Sequence, residues 1–150
     1  MNNVRAVLPP VPGDAVQSAI VQILEVMYFC EADFRGPARI NSDALVTSLD
    51  FSGGTSGKFR VAVSPCLAAR LATDFLALGP GEASPEEIDA TVKELANVAC
   101  GAALNSWMPQ ASFHFSVPAP LSVLPGGGEF PYCFAVSGVD ADLAIDVTGE

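Results

Sequence analysis

The chain has 150 residues, half of them hydrophobic and 16% charged, with a mean hydropathy of +0.38; this composition excludes a disordered chain and suffices for a substantial core. Seven Lys and Arg against seventeen Asp and Glu leave a formal charge of -10, which repels phosphate backbones and anionic lipid and speaks against a nucleic-acid or membrane-surface partner. The charged fraction lies below the quarter or so that is usual for globular domains, which points to surface buried in a homodimer or larger oligomer.

Residues 1–13 hold three prolines and no long apolar run, so they read as an extended N-terminal segment without a secretory signal, and a cytoplasmic location is expected. Asp14 with Gln17 three residues on is a capping box that opens a helix over 14–32, apolar nearly all round as a sandwiched element should be. Leu45–Phe51 and Lys58–Val63 read as strands joined by the turn Gly53-Gly54-Thr55-Ser56-Gly57. That turn falls short of a phosphate-binding loop. Ser52 and Phe59 stand where the motif needs Gly and Ser or Thr, and the run leads into a strand instead of a helix N-terminus.

Ser64-Pro65 is an N-cap followed by proline, and the helix it opens over 65–78 is stopped by Gly79-Pro80. Ser84-Pro85 with Glu87 is a second capping box and predicts a helix over 84–107. Ser112–Val117 alternates, with Phe113, Phe115 and Val117 on one face and Ser112, His114 and Ser116 on the other, and Pro118 and Pro120 end it. His114, the only histidine, has no nucleophile-elbow context and is expected on the polar face of that strand. After a loop at Pro125–Gly128, residues 130–137 and 141–147 read as two strands, with Asp140, Asp142 and Asp146 on one solvated face. Residues 95–128 carry no charged side chain, yet their prolines break the run and exclude a membrane span.

The element order is helix, two strands, two helices, three strands. It predicts one α+β domain over 1–150, a layered α/β arrangement of long helices on a mixed or antiparallel sheet. Cys30, Cys66, Cys100 and Cys133 lie more than thirty residues apart without a C-x-x-C pair. They read as small buried hydrophobes in a reducing compartment, not as a zinc site.

The third helix is chemically distinctive. At about 100° per residue, Ile88, Val92, Leu95, Ala96, Ala99, Ala103 and Trp107 fall on one side, which must be buried. The opposite stripe is Ala90, Glu94, Asn97, Gly101 and Asn105. Glu94 and Asn97 stand about 60° apart round the axis and about 4.5 Å along it, so one approaching surface can touch both. Their neighbours on the stripe are mostly very small, as on a face that lets another protein's backbone come close.

The run Asp89-Ala-Thr-Val-Lys-Glu94-Leu-Ala-Asn97-Val-Ala-Cys-Gly101, followed by Pro120 with twenty-two residues between it and Asn97, resembles the CheC/CheX/FliY family of bacterial chemotaxis phosphatases, whose signature is Glu-x-x-Asn and a distant proline. With one such motif the chain is similar to the single-site CheX type; the same spacing from Glu25 lands on Tyr28, so no second site is expected. The resemblance implies a CheX-like fold, long helices on a mostly antiparallel sheet. It also implies hydrolysis of the aspartyl phosphate of a CheY-like receiver domain, which carries its own Mg²⁺ while this chain needs no cofactor. In that scheme Asn97 places the attacking water and Glu94 grips the receiver, with Ala90, Gly101 and Asn105 on the contact face. The family pattern has Asp or Ser four residues before the Glu, whereas this chain has Ala90, with Asp89 one step earlier. A non-catalytic adaptor of the same fold is therefore a competing expectation, and a structural dimer domain is a third. A dimer interface is expected at a strand edge near the last hairpin.

Overall fold

A computed structural model of the chain describes residues 13–28, 30–40, 42–79, 81–121, 128–136 and 139–149. The expected N-terminal segment and most of the Pro125–Gly128 loop lie outside these residues. Among the described residues three helices, α1 (Gly13–Met27), α2 (Pro65–Phe75) and α3 (Pro85–Trp107), accompany seven strands: β1 (Ala32–Arg39), β2 (Leu45–Gly53), β3 (Gly57–Val63), β4 (Phe113–Phe115), β5 (Ala119–Pro120), β6 (Glu129–Val136) and β7 (Val139–Gly149). The strands form one sheet in the order β1-β6-β7-β3-β2-β4, with β5 also on β2. Every pairing is antiparallel. The mostly antiparallel α+β architecture is as the sequence predicts.

All three helices pack on one face of the sheet. Leu49 and Phe51 of β2, Phe59, Val61 and Val63 of β3, and Leu143, Ile145 and Val147 of β7 point into the core shared with the helices, as the two-residue period of strands requires. The alternate residues Val46, Ala62, Phe130, Cys133 and Ala144 form a smaller apolar cluster on the other face.

The two serine caps form where they were read, whereas Asp14 lies inside the first turn of a helix that begins at Gly13. The Ser84 hydroxyl accepts from the Glu87 amide at 3.1 Å, and the Ser84 amide donates to the Glu87 carboxylate at 2.9 Å, so both halves of the capping box form. Ser64 accepts from Leu67 at 3.1 Å. The Gly53–Gly57 turn joins β2 to β3, and Gly53 adopts φ 137 where a Cβ would stand 2.1 Å from the Ser112 carbonyl oxygen. Only glycine fits there.

Five expectations are corrected. The first helix stops at Met27, not residue 32, and the chain then supplies β1, an edge strand absent from the predicted order. β1 pairs with β6, some hundred residues away, and carries register breaks around Gly36 and Pro37 that erase its alternation. The two-residue β5 is likewise additional, drawn onto β2 by the bond from the Leu121 amide to the Val46 carbonyl at 2.9 Å. Second, the apolar face of the 112–117 stretch is not buried throughout: Phe115 and Val117 are 39% and 84% exposed, because β4 is a short strand at the edge of the sheet and Val117 lies past its end. Third, Asp146 lies on a covered strand face: it is only 8% exposed and pairs with Arg60 across β7 and β3. The side chains of Asp140 and Asp142 lie outside the described residues. Fourth, Cys66 is exposed at the start of α2, whereas the other three cysteines are buried. Fifth, the last hairpin, β6–β7, sits in the middle of the sheet, so it offers no free edge; the edges are β1 and the β4/β5 side.

Candidate functional site

The exposed side of α3 carries the predicted stripe. Thr91, Val92, Leu95, Ala96, Ala99, Cys100, Ala103 and Leu104 are buried, which rotates Ala90, Glu94 and Asn105 to the outside, with Asn97 and Gly101 partly exposed between them. Thus the helix brings all five predicted residues onto one face about 22 Å long.

Glu94 is exposed, and no cation pairs with it among the described residues. Its neighbour Lys93 is turned away and held at 2.9 Å by Asp89, one helical turn back. Asp89 therefore faces another direction and does not stand in for Ala90. The Asn97 carboxamide makes no hydrogen bond to a described side chain or backbone group and stays half-buried beside Glu94. A carboxylate and a carboxamide without internal partners, one turn apart on a bare helix face, can accept and donate toward a visiting molecule.

The stripe is bounded by apolar side chains that sequence reasoning missed. At one end the Phe115 ring of β4 lies against Gly101, where a Cβ would meet it at 3.6 Å. At the other, Phe75 and Leu76 project from the end of α2 and are 46% and 41% exposed. With Glu87, Ala90, Thr91 and Glu94 they enclose a depression of about 230 Å³. No sequence pattern marks these three side chains, because their exposure depends on how far each neighbouring element extends.

Beneath this end of the site lies Tyr28. It is fully buried, its ring 5.5 Å from that of Phe75, and its hydroxyl has no partner among the described residues. Burial, and secondarily the negative charge of Glu94, push its pKa up to about 12. On the inner face of α3, burial likewise pushes the Cys100 thiol up to about 12. The first-helix position that spaces like Asn97 is thus occupied by a sealed phenol, in keeping with a single exposed pair. Pro120 is apart from that pair, on β5, where with Leu121 it shares a small cleft with Asp89 and Val92 of α3. His114 is exposed on β4 opposite Ser52.

A two-layer fold with one bare helix bearing an exposed Glu and Asn defines a class that comparison with known proteins identifies. The family model described as chemotaxis phosphatase CheX matches residues 45–124. Among solved structures, the chain is similar to the chemotaxis protein CheX of Vibrio vulnificus, with a TM-score of 0.68 and 19% identity over 92% of this chain and 95% of that one. It is also similar to a chain of the CheX–CheY–BeF₃–Mg²⁺ complex from Borrelia burgdorferi, with a TM-score of 0.69 and 14% identity over 90% and 95%. FliY of Thermotoga maritima gives a TM-score of 0.61 and 13% identity over 91% and 87%. No curated protein matches the sequence. The chain belongs to the CheX family of chemotaxis phosphatases.

Proposed function

We propose that this protein dephosphorylates the aspartyl phosphate of a CheY-like receiver domain, with Asn97 placing the attacking water and Glu94 holding the receiver. The observation that carries this reading is the exposed Glu94 beside the half-buried, unpartnered Asn97 on the bare face of α3, in a chain of the CheX family. The Borrelia relative's structure is of a complex with CheY, BeF₃ and Mg²⁺, which supports a receiver carrying its own Mg²⁺ as the partner here. Water attacks phosphorus while the bond to the aspartyl oxygen breaks, releasing inorganic phosphate and the free carboxylate. That step requires alignment more than a covalent nucleophile. The Asn97 carboxamide accepts from the water with its oxygen and donates toward the phosphoryl group with its nitrogen, fixing the water in line. Glu94 pairs with a lysine of the receiver at the edge of the same contact, and Ala90, Gly101 and Asn105 let the two backbones approach.

A second reading, a non-catalytic adaptor that binds a receiver without turning it over, is favoured by Ala90, where the family pattern has Asp or Ser. The discriminating experiment charges a CheY-type receiver with a small phosphodonor and follows phosphate loss. Catalysis gives faster loss that Asn97→Ala abolishes with melting temperature unchanged, while Glu94→Ala mainly raises the receiver concentration needed for half-maximal rate. An unchanged rate in Asn97→Ala refutes the role given to that residue, and binding without acceleration establishes the adaptor.

A further inference from the structure

The scheme above uses Glu94 and Ala90 but leaves the depression they help to line, at the N-terminal end of the stripe, without an occupant. Its walls are Phe75 and Leu76 from α2 and the faces of Ala90 and Thr91 on α3; its two charged lining residues, Glu87 and Glu94, are both acidic. Apart from Thr91 the rest of the lining is apolar, and such a concavity beside an exposed charged residue is suited to a contact.

Its shape is built by local structure. Helix α2 ends in a Schellman arrangement, in which the Leu78 amide donates to the Thr73 carbonyl at 2.9 Å and the Ala77 amide to Asp74 at 3.4 Å. Ala77 takes φ 58 to close it. This abrupt turn leaves Phe75 and Leu76 on the last turn facing α3 instead of folded into the core. Phe75 is backed by the sealed ring of Tyr28, so that wall is held in position. The floor is open because residue 90 is alanine: one helical turn before Glu94, on the same side of α3, a longer side chain would occupy the space.

We infer that this depression receives an apolar side chain of the receiver, one adjacent in the receiver's surface to the basic residue that pairs with Glu94. Two observations choose this occupant. The pocket shares the Glu94 carboxylate with the exposed stripe, so whatever covers Glu94 and Asn97 also covers the pocket. Both of its charged lining residues are acidic, within a chain of charge -10, which favours a partner presenting a cation beside the apolar group and disfavours a second copy of this chain. The inference rests on the proposed receiver-binding function and adds to it a determinant of which receivers are accepted: those with a bulky apolar residue at that place.

The test measures affinity separately from turnover. A CheY-type receiver activated with beryllofluoride and Mg²⁺ is titrated against the wild-type chain, Ala90→Leu and Leu76→Ser, with melting temperatures recorded for each. Filling the pocket in Ala90→Leu is expected to weaken binding about tenfold or more, the scale of excluding one large apolar side chain. Leu76→Ser, which removes a wall without filling the space, is expected to weaken it about threefold to tenfold. Wild-type affinity in folded Ala90→Leu overturns the inference while leaving the Glu94–Asn97 reading intact. Wild-type binding without acceleration of phosphate loss overturns the catalytic reading, and the pocket is still judged by the affinities. No binding of the receiver overturns both. Should Ala90→Leu shift the chain's own oligomeric mass and not its receiver affinity, the occupant is a second copy and the inference is wrong.

Discussion

Removing the Asp146 carboxylate is expected to be among the costliest single changes outside the apolar core. Asp146 on β7 lies opposite Arg60 on β3, on the sheet face away from the helices, and the two side chains are 11% and 15% exposed. The guanidinium carbon also stands 5.9 Å from the centre of the Phe130 ring, so in Asp146→Ala the cation keeps one aromatic face and loses its counter-charge. Breaking a buried pair from one side costs about 3–5 kcal/mol. The residual exposure lets water reach part of the stranded guanidinium, which lowers the expected loss to about 2–3 kcal/mol. In a domain of this size that is a fall in Tm of roughly 5–10 °C. Replacing both partners, Arg60→Met with Asp146→Leu, removes the stranded charge and is expected to come within about 1 kcal/mol of wild type. Urea unfolding followed by circular dichroism, with the slope checked for constancy, measures Asp146→Ala, the double variant and its two singles. A loss below about 0.5 kcal/mol in Asp146→Ala, or a double variant as unstable as the sum of its singles, would refute the reasoning.

Further outcomes are expected. Tyr28 and Cys100 reach about 12 in the fold against 10.0 and 9.0 in the open chain; the unfolded state therefore loses these protons first, and stability present below pH 9 is lost as pH rises toward 12. Tyr28 accounts for roughly 3 kcal/mol and Cys100 for roughly 4 kcal/mol of that loss at most, so Tyr28→Phe and Cys100→Ala should flatten the alkaline limb of the urea midpoint, and an unaltered limb counts against the burial of both. Ala77→Gly relieves a left-handed alanine after α2 and is expected to stabilise the chain by about 0.5–1 kcal/mol after the extra entropy of glycine is offset; destabilisation would show that φ 58 is not strained there. Light scattering on an eluting column should give twice the 15.5 kDa chain mass, since the low charge density favours a homodimer, and a mass of one chain at tens of micromolar rejects it.

Much of the site was legible because its logic is local. Glu94 and Asn97 share a face by helical periodicity alone, and Ser84 with Glu87 fixes where that helix starts, so the outward stripe followed from spacing without reference to any other element. The pocket beside it was not legible. Phe75 and Leu76 look like ordinary core residues of an apolar helix, and only the early turn at Ala77 and the position of α3 leave them uncovered. Phe115 and Val117 mislead in the same way: alternation marks an apolar face, but the face is buried only where another element lies over it. β1 failed for a different reason, since Gly36 and Pro37 interrupt its period and its partner β6 lies far along the chain.

By itself, the sequence determined the starts of α2 and α3, the β2–β3 hairpin, the buried and bare sides of α3 and the family those residues resemble, all of which depend on hydrogen bonds and periodicities within a few residues. Tertiary structure alone decided that the chain after Met27 becomes a strand, that the last hairpin is central, that Asp146 is enclosed with Arg60, and that two aromatic rings flank the stripe. Those outcomes depend on which distant segments pair and on what covers each face. Burial is a property of neighbours in space, and the side chain alone does not carry it.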